Sequence, residues 1–312
     1  MGLTFSAGPA RVRTPATSAN LGPGFDALGL ALTLYDDLTA RVTDDGYHVT
    51  VTGQGAGELP EDAEHLVVRS MLAAFDEMGG RPPGLAVECV NRIPQARGLG
   101  SSSAAIVGGV ELARRLVTEP LLDDADALRV AARIEGHPDN VAPCLLGGFT
   151  IAWTEGAGAR AARLAPAAGV RPTLFVPKER GYTAAARQAL PAGVPHADAA
   201  FNAGRSALLV HALTTDPTLL FPATEDRLHQ AYRSDAMPGT ASLMAALRSV
   251  GVAAVVSGAG PSVLALTDVP GDFHPGTAWR AEPLSVDGGG ALAKGSMVEH
   301  AERGTVAAGR TS

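Results

Sequence analysis

Cysteine is almost missing from this chain. Cys89 and Cys144 are the only two in 312 residues, and they lie far apart, without the paired spacing of a zinc site or a disulfide framework. Both are expected to be reduced, ordinary residues. A basic surplus is missing too: the net charge is −7, whereas surfaces that bind nucleic acid or anionic membranes cluster Lys and Arg against phosphates. A general nucleic-acid role is therefore not expected, and any phosphate site must be local. There is no run of about eighteen apolar residues and no basic start followed by an apolar stretch. These absences predict a cytoplasmic protein with no membrane partner. What remains is a soluble globular balance of 46% hydrophobic and 18% charged residues, long enough for two ordinary domains or one large one.

Along the chain, residues 1–10 read as a loose terminus. Residues 11–18 and 38–52 alternate β-branched residues around a DDG turn signal, which predicts strands and hairpins. Leu66, Val67, Met71, Leu72, Phe75 and Met78 recur at helical spacing over 64–79. A strand over 85–93, an Ala-rich helix to about Val117, a helix over 124–135 and a strand over 147–153 follow. The stretch 155–169 has no clear period, and it predicts a boundary between an N-terminal unit (1–155) and a C-terminal unit (156–312). The second unit reads as strands at 171–177, 252–257 and 262–267 and helices at 183–190, 200–214, 225–233 and 240–250. A Gly- and Ala-rich tail, expected to be flexible, begins at Asp287. Helices and strands mix without a regular βαβ period, which favours an α+β fold over a doubly wound sheet.

The most informative segment is PQARGLGSSSAA (94–105), placed after an apolar strand and before a helix. A helix N-terminus leaves backbone N–H groups unpaired, and Gly98 and Gly100 remove side chains that would keep a phosphate away. A tight structural turn with Ser101 as N-cap is the plainer reading. No lysine follows the glycines, so this is not a P-loop, and Ser103 stands where the dinucleotide fingerprint needs its third glycine. Two further segments carry turn chemistry. In ANLGPGFD (19–26), Asn20 and Asp26 flank a Gly-Pro turn and can converge on one small ligand or satisfy the turn's own backbone. In EGHPDN (135–140), polar residues interrupt apolar sequence, where they would be costly without partners. Glu135 suits Mg²⁺, a hard cation that takes one or two carboxylates.

Taken together, PATSANLGPGFDALGLAL (15–32), PQARGLGSSSAA (94–105) and VVSGAGPSVLAL (255–266) resemble, in order, the three signature motifs of the GHMP small-molecule kinases, in the form found in homoserine kinases. The resemblance spans most of the chain. It implies a GHMP kinase fold: an N-terminal ATP-binding subdomain like ribosomal protein S5 domain 2, followed by an α+β C-terminal subdomain. It further implies ATP as co-substrate, Mg²⁺ as metal, L-homoserine as acceptor, a place in threonine biosynthesis, and room for a homodimer.

Roles follow by resemblance. The loop of Pro94, Arg97, Gly98, Leu99, Gly100, Ser101, Ser102 and Ser103 would wrap the triphosphate, with Leu66 and Val67 against adenine. Arg97 is equally compatible with a solvent-facing position. Ser102 and Glu135 would hold Mg²⁺, although many relatives carry several more residues between this glutamate and the His-x-Asp-Asn group. Asn140 would orient the acceptor hydroxyl, with His137 and Asp139 beside it. Asn20 and Asp26 would take the ammonium of the acceptor. Thr183, Arg187 and Arg233, from TAAAR and HQAYR, would take its carboxylate, since two planar guanidinium forks suit that group. His65 and the other histidines show no metal-ligand spacing and read as unremarkable. A mevalonate- or sugar-type kinase, or a non-catalytic ligand sensor of the same fold, are the alternatives.

Overall fold

The computed structural model describes residues 3–119, 122–181 and 183–291. Ten strands and nine α-helices are described: β1 (Ala10–Ala19), β2 (Leu28–Thr43), β3 (Gly46–Gly53), α1 (Leu66–Glu77), β4 (Gly84–Asn91), α2 (Ser101–Leu116), α3 (Asp124–Glu135), α4 (Pro138–Leu146), β5 (Phe149–Glu155), β6 (Gly158–Leu164), β7 (Thr173–Pro177), α5 (Thr183–Gln188), α6 (His196–Thr214), α7 (Leu220–Ala223), α8 (Gln230–Arg233), α9 (Pro238–Ser249), β8 (Ala254–Val256), β9 (Val263–Ala265) and β10 (Trp279–Pro283).

The first sheet runs β3-β4-β2-β5-β6, with β1 also paired to β2. Although β2 and β3 are joined by the short Asp44-Asp45 turn, they do not pair: β4 lies between them, antiparallel to β2 and parallel to β3. The expected hairpin is thus an opened one, because the β3–α1–β4 crossover returns its second strand into the gap. Alternating buried positions such as Leu38, Ala40, Leu85 and Val87 face helices α1 to α4, whose apolar stripes complete the core. The second sheet, β10-β7-β9-β8, is antiparallel, and α9 packs on it through Leu243 and Leu247 against Phe175, Val263 and Ala265.

Four expectations need correction. Residues 4–6 are not a loose end: the Ser6 N–H donates to the Leu116 carbonyl, the Thr118 N–H donates to the Thr4 carbonyl, and Phe5 packs edge-on against Phe75. Residues 287–291 are also fixed, because Asp287 accepts from Tyr35, Gly289 and Gly290, and the Ala291 N–H donates to Cys144. The remainder of the expected flexible tail lies outside the described residues. Residues 158–164, read as aperiodic, form β6, a partner of β5 in the first sheet. The step from first sheet to second therefore falls between Leu164 and Thr173 rather than at 155. Finally, 225–233 is not one helix. Asp226 caps a single turn, α8, by accepting from the N–H groups of Leu228, His229 and Gln230.

Candidate active site

The three glycine-bearing turns meet at one place. Asn20 donates to the Gly258 carbonyl and accepts from the Asp26 N–H, at 2.8 and 2.9 Å. Ser257 donates to the Gly98 carbonyl at 2.7 Å, and the Ser262 N–H donates to the Arg97 carbonyl. Turns separated by more than 150 residues in sequence therefore lock each other. Four non-glycine residues among those described have positive φ, namely Asn20, Leu21, Asp26 and Ala96, and all lie in these turns. Such conformations cost about 1 kcal/mol each, and their clustering marks a site whose shape is over-determined by its surroundings.

The glycines of the central turn are required by protein contacts as much as by ligand space. At Gly98, with φ of 70°, a Cβ would lie 2.1 Å from the Ser257 carbonyl oxygen; at Gly100, with φ of 66°, it would lie 1.9 Å from the Thr17 hydroxyl. Gly100 is itself the N-cap of α2, and no side chain caps that helix. Ser101 is the first helical residue instead of the cap expected in the plainer reading. The free N–H groups of the first turn consequently face a cavity of about 420 Å³, which Gly98, Leu99, Gly100, Ser101 and Ser102 line.

At one wall, Ser102 and Ser103 both donate to Glu135 Oε1, at 2.8 and 2.9 Å. The short spacing between Glu135 and the next polar group thus still brings the glutamate to the loop, because α3 ends at Gly136 in a left-handed cap and α4 starts two residues later. That second helix is absent from the sequence reading. Its signals are present, Gly past one helix end and Pro138 at the first position of the next, but Pro143 inside it obscures the pattern. Among the described residues no group of three or more His, Cys, Asp and Glu side chains could hold a metal. One carboxylate beside one exposed hydroxyl nevertheless fits Mg²⁺, which keeps most of its waters.

α4 places the next three residues. Asn140 accepts the Thr17 hydroxyl hydrogen through Oδ1 at 2.8 Å, which orients its amide and leaves the NH₂ group to donate. His137 Nδ1 lies 2.5 Å from Asp139 Oδ1, and Asp139 is buried. The hydrogen bond that His137 donates to the Asp139 carboxylate raises the His137 pKa above its ordinary value, against the opposing effect of burial.

At the far wall, Arg187 and Asp26 pair with each other through both nitrogens, at 3.0 and 2.8 Å, and both are partly exposed. Arg233 differs. It is 2% exposed, yet among the described residues it has no carboxylate partner; it donates to Ala186 O and to His229 Nδ1, both at 3.1 Å. Burial, then the like charge of Arg187, push its pKa below the ordinary value. Phe25 lies 5.5 Å below the guanidinium and stacks on His229, whose Nε2 bonds the Gly22 carbonyl. His229 and Phe25 went unnoticed in the sequence, although both sit inside segments singled out for other residues.

Arg97 lines the cavity as well. Its guanidinium donates to the carbonyls of Gln95, Pro177 and Lys178, tying the loop to the end of β7. Leu66, Val67 and Pro94 line the same cavity. Thr183 falls in the backbone of α5, but its side chain lies outside the described residues.

The chain matches the model of the GHMP kinases N-terminal domain over residues 65–148. It is 56% identical to the homoserine kinase of Streptomyces coelicolor over 93% of this chain and 96% of that one, and 51% identical to the homoserine kinase of Clavibacter michiganensis over 96% of each. The chain belongs to the homoserine kinases of the GHMP superfamily. A solved homoserine kinase from Cytophaga hutchinsonii superposes with a TM-score of 0.81 at 28% identity, covering 93% of this chain and 98% of that one. The mevalonate kinase of L. major shares the α+β fold, with a TM-score of 0.67 at 13% identity over 91% and 98% of the two chains. Among the described residues of this family member, no helix is long and apolar enough to cross a membrane.

Proposed function

We propose that this chain transfers the γ-phosphoryl group of ATP to the side-chain hydroxyl of L-homoserine, giving ADP and O-phospho-L-homoserine for threonine biosynthesis. The observation that carries this reading is Arg233. A guanidinium buried with no carboxylate bonded to it is costly, even with the charges of Asp26, Asp226 and Asp139 acting on it from further off, and a ligand carboxylate arriving in the cavity would supply the missing partner. The neighbouring Asp26–Arg187 pair is partly exposed and worth no more than about 1 kcal/mol. It can therefore open at little cost, Asp26 turning to an ammonium and Arg187 joining Arg233 on the carboxylate. An α-amino acid offers both charges on one carbon, as mevalonate and a neutral sugar do not.

Phosphoryl transfer asks for alignment and charge neutralisation more than covalent work. The uncapped first turn of α2 receives the phosphates, and Leu66, Val67 and Pro94 receive the base. Ser102 and Glu135 would hold Mg²⁺, which supplies positive charge against the phosphate oxygens when bound. Asn140, with its amide fixed by Thr17, donates its NH₂ to the acceptor oxygen. His137 and Asp139 form one bonded unit beside it, so any part Asp139 plays in proton transfer runs through the imidazole. In a loose transition state the hydroxyl need not lose its proton early, and no free carboxylate base is required.

The test is ³¹P NMR of the product formed from ATP with L-homoserine, (R)-mevalonate or galactose as acceptor. A new phosphomonoester resonance with L-homoserine alone is expected. Product with mevalonate or galactose but not homoserine would assign another GHMP chemistry, and no product with any acceptor would favour a ligand sensor.

A further inference from the structure

His229 stands between the first glycine turn and Arg233. It is fully buried at the start of α8, one helical turn before Arg233. Its Nδ1 lies 3.1 Å from Arg233 Nη1, and its Nε2 lies 2.8 Å from the Gly22 carbonyl oxygen. A guanidinium offers donors only, so Nδ1 must accept, and the proton of the neutral ring sits on Nε2, where it donates to Gly22. Burial disfavours the charged ring; the Asp226 carboxylate opposes that effect and the Arg233 charge adds to it. The donors of Arg233 can then be followed one by one. Nε donates to Ala186 O, Nη1 donates to His229 and, at 3.4 Å, to Gly258 O, and Nη2 has no partner among the described residues. Arg233 lines the active-site cavity, so the two hydrogens on Nη2 are what it offers a ligand there. The turn on the other side of His229 carries Asn20 and Asp26. Its next carbonyl, that of Pro23, is held separately by Asn202 and Ser206, at 2.7 and 2.5 Å. Among the described residues, only the His229 side chain hydrogen-bonds both this turn and Arg233.

We infer that His229 is a positioning residue for the acceptor: it ties the guanidinium that takes the carboxylate to the turn that takes the ammonium, and so sets the distance between the two. This role rests on the homoserine reading given above and adds to it the residue that keeps the two charged contacts in register. In an α-amino acid both charges hang on one carbon, so the ligand cannot absorb an error in that distance. Without an acceptor at Nδ1, Nη1 keeps only its long bond to Gly258. The freed side chain then has to be ordered by the ligand itself, at a cost in affinity. Phe25, stacked on the imidazole and 5.5 Å from the guanidinium, supports the face of the group but supplies no acceptor at its edge.

The experiment is steady-state kinetics of the full chain, with KM measured separately for L-homoserine and for ATP. KM does not depend on the fraction of enzyme that is folded, so a merely structural loss lowers the apparent kcat and leaves both KM values in place. His229→Gln puts an amide where Nε2 stood, which can still donate to Gly22, but removes the acceptor for Arg233. His229→Asn puts an amide oxygen where Nδ1 stood and keeps that acceptor. One lost hydrogen bond to a charged group predicts that His229→Gln raises KM for homoserine about tenfold or more, with KM for ATP within about twofold of wild type. His229→Asn should recover most of that loss. In an Arg233→Ala background His229→Gln should raise KM for homoserine no further, because the guanidinium through which it acts is gone. An unmoved KM for homoserine in His229→Gln, a larger rise in His229→Asn than in His229→Gln, or an undiminished further rise in the Arg233→Ala background overturns the positioning role while leaving homoserine as substrate. Wild type that does not phosphorylate homoserine overturns that reading and this inference with it.

Discussion

Arg187 and Arg233 occupy the same wall in opposite electrostatic conditions, one neutralised by Asp26 at the rim and one buried without a carboxylate. Removing one partner of a buried charged contact costs about 2–5 kcal/mol, roughly 30-fold to several thousand-fold in affinity. Arg233→Ala is therefore expected to lose kcat/KM for L-homoserine by at least 30-fold, and Arg187→Ala, at the partly exposed rim, to lose less. Arg233→Lys should recover only part, because an ammonium cannot reproduce the fork that reaches Ala186, His229 and the ligand together. Steady-state kinetics decide this, with ATP affinity measured separately and expected to stay near wild type. At Glu135 the expected change is in the metal. Glu135→Gln still accepts from Ser102 and Ser103 but loses its charge, so the Mg²⁺ concentration for half-maximal rate should rise about tenfold or more, a loss of at least about 1.4 kcal/mol. An unchanged Mg²⁺ titration would remove Glu135 from the metal site.

Two elements carry the chemistry by where they begin, α2 at Gly100 and α4 at His137. Gly98→Ala puts a methyl 2.1 Å from the Ser257 carbonyl in a backbone that already disfavours side chains. We expect a lowered melting temperature, by several degrees, together with weakened ATP binding, since the first casualty is the lock between the second and third turns. Normal stability with normal ATP affinity would show that this lock is dispensable. For α4 the handle is pH. The His137 pKa is raised above 6.5 in the folded protein by Asp139, so the pair stabilises fully below the unfolded value. That stabilisation fades as pH rises through the folded value. The melting-temperature difference between wild type and His137→Gln should thus be largest near pH 5.5 and shrink by pH 8.5. A difference independent of pH would mean that the His137–Asp139 contact is not charge-assisted.

For the molecule as a whole, sequence reading succeeded where local chemistry decides and failed where distant strands do. The three glycine turns, the helix after the second of them and the segment holding Glu135 and Asn140 were legible, because turn glycines and helical spacing are local signals. Insertion of β4 between β2 and β3 was not, since pairing depends on a crossover that neither strand encodes. Strand β6, too short in alternation to be seen, and α4, interrupted by Pro143, were lost for similar reasons. The site was legible as a list but not as a circuit. Nothing in the residues foretold that Asp26 and Arg187 would pair with each other, that Arg97 would tie down its own loop, or that His65 would line the cavity.

The central claim is that this wall recognises an amino-acid zwitterion through Arg233. Its most direct test is the ratio of kcat/KM for L-homoserine to that for 3-amino-1-propanol, which keeps the amine and hydroxyl but has no carboxylate, in wild type and in Arg233→Ala. Wild type should prefer homoserine by at least about 30-fold, and the variant should lose most of that preference by losing homoserine alone. A preference that survives intact in Arg233→Ala would contradict the account.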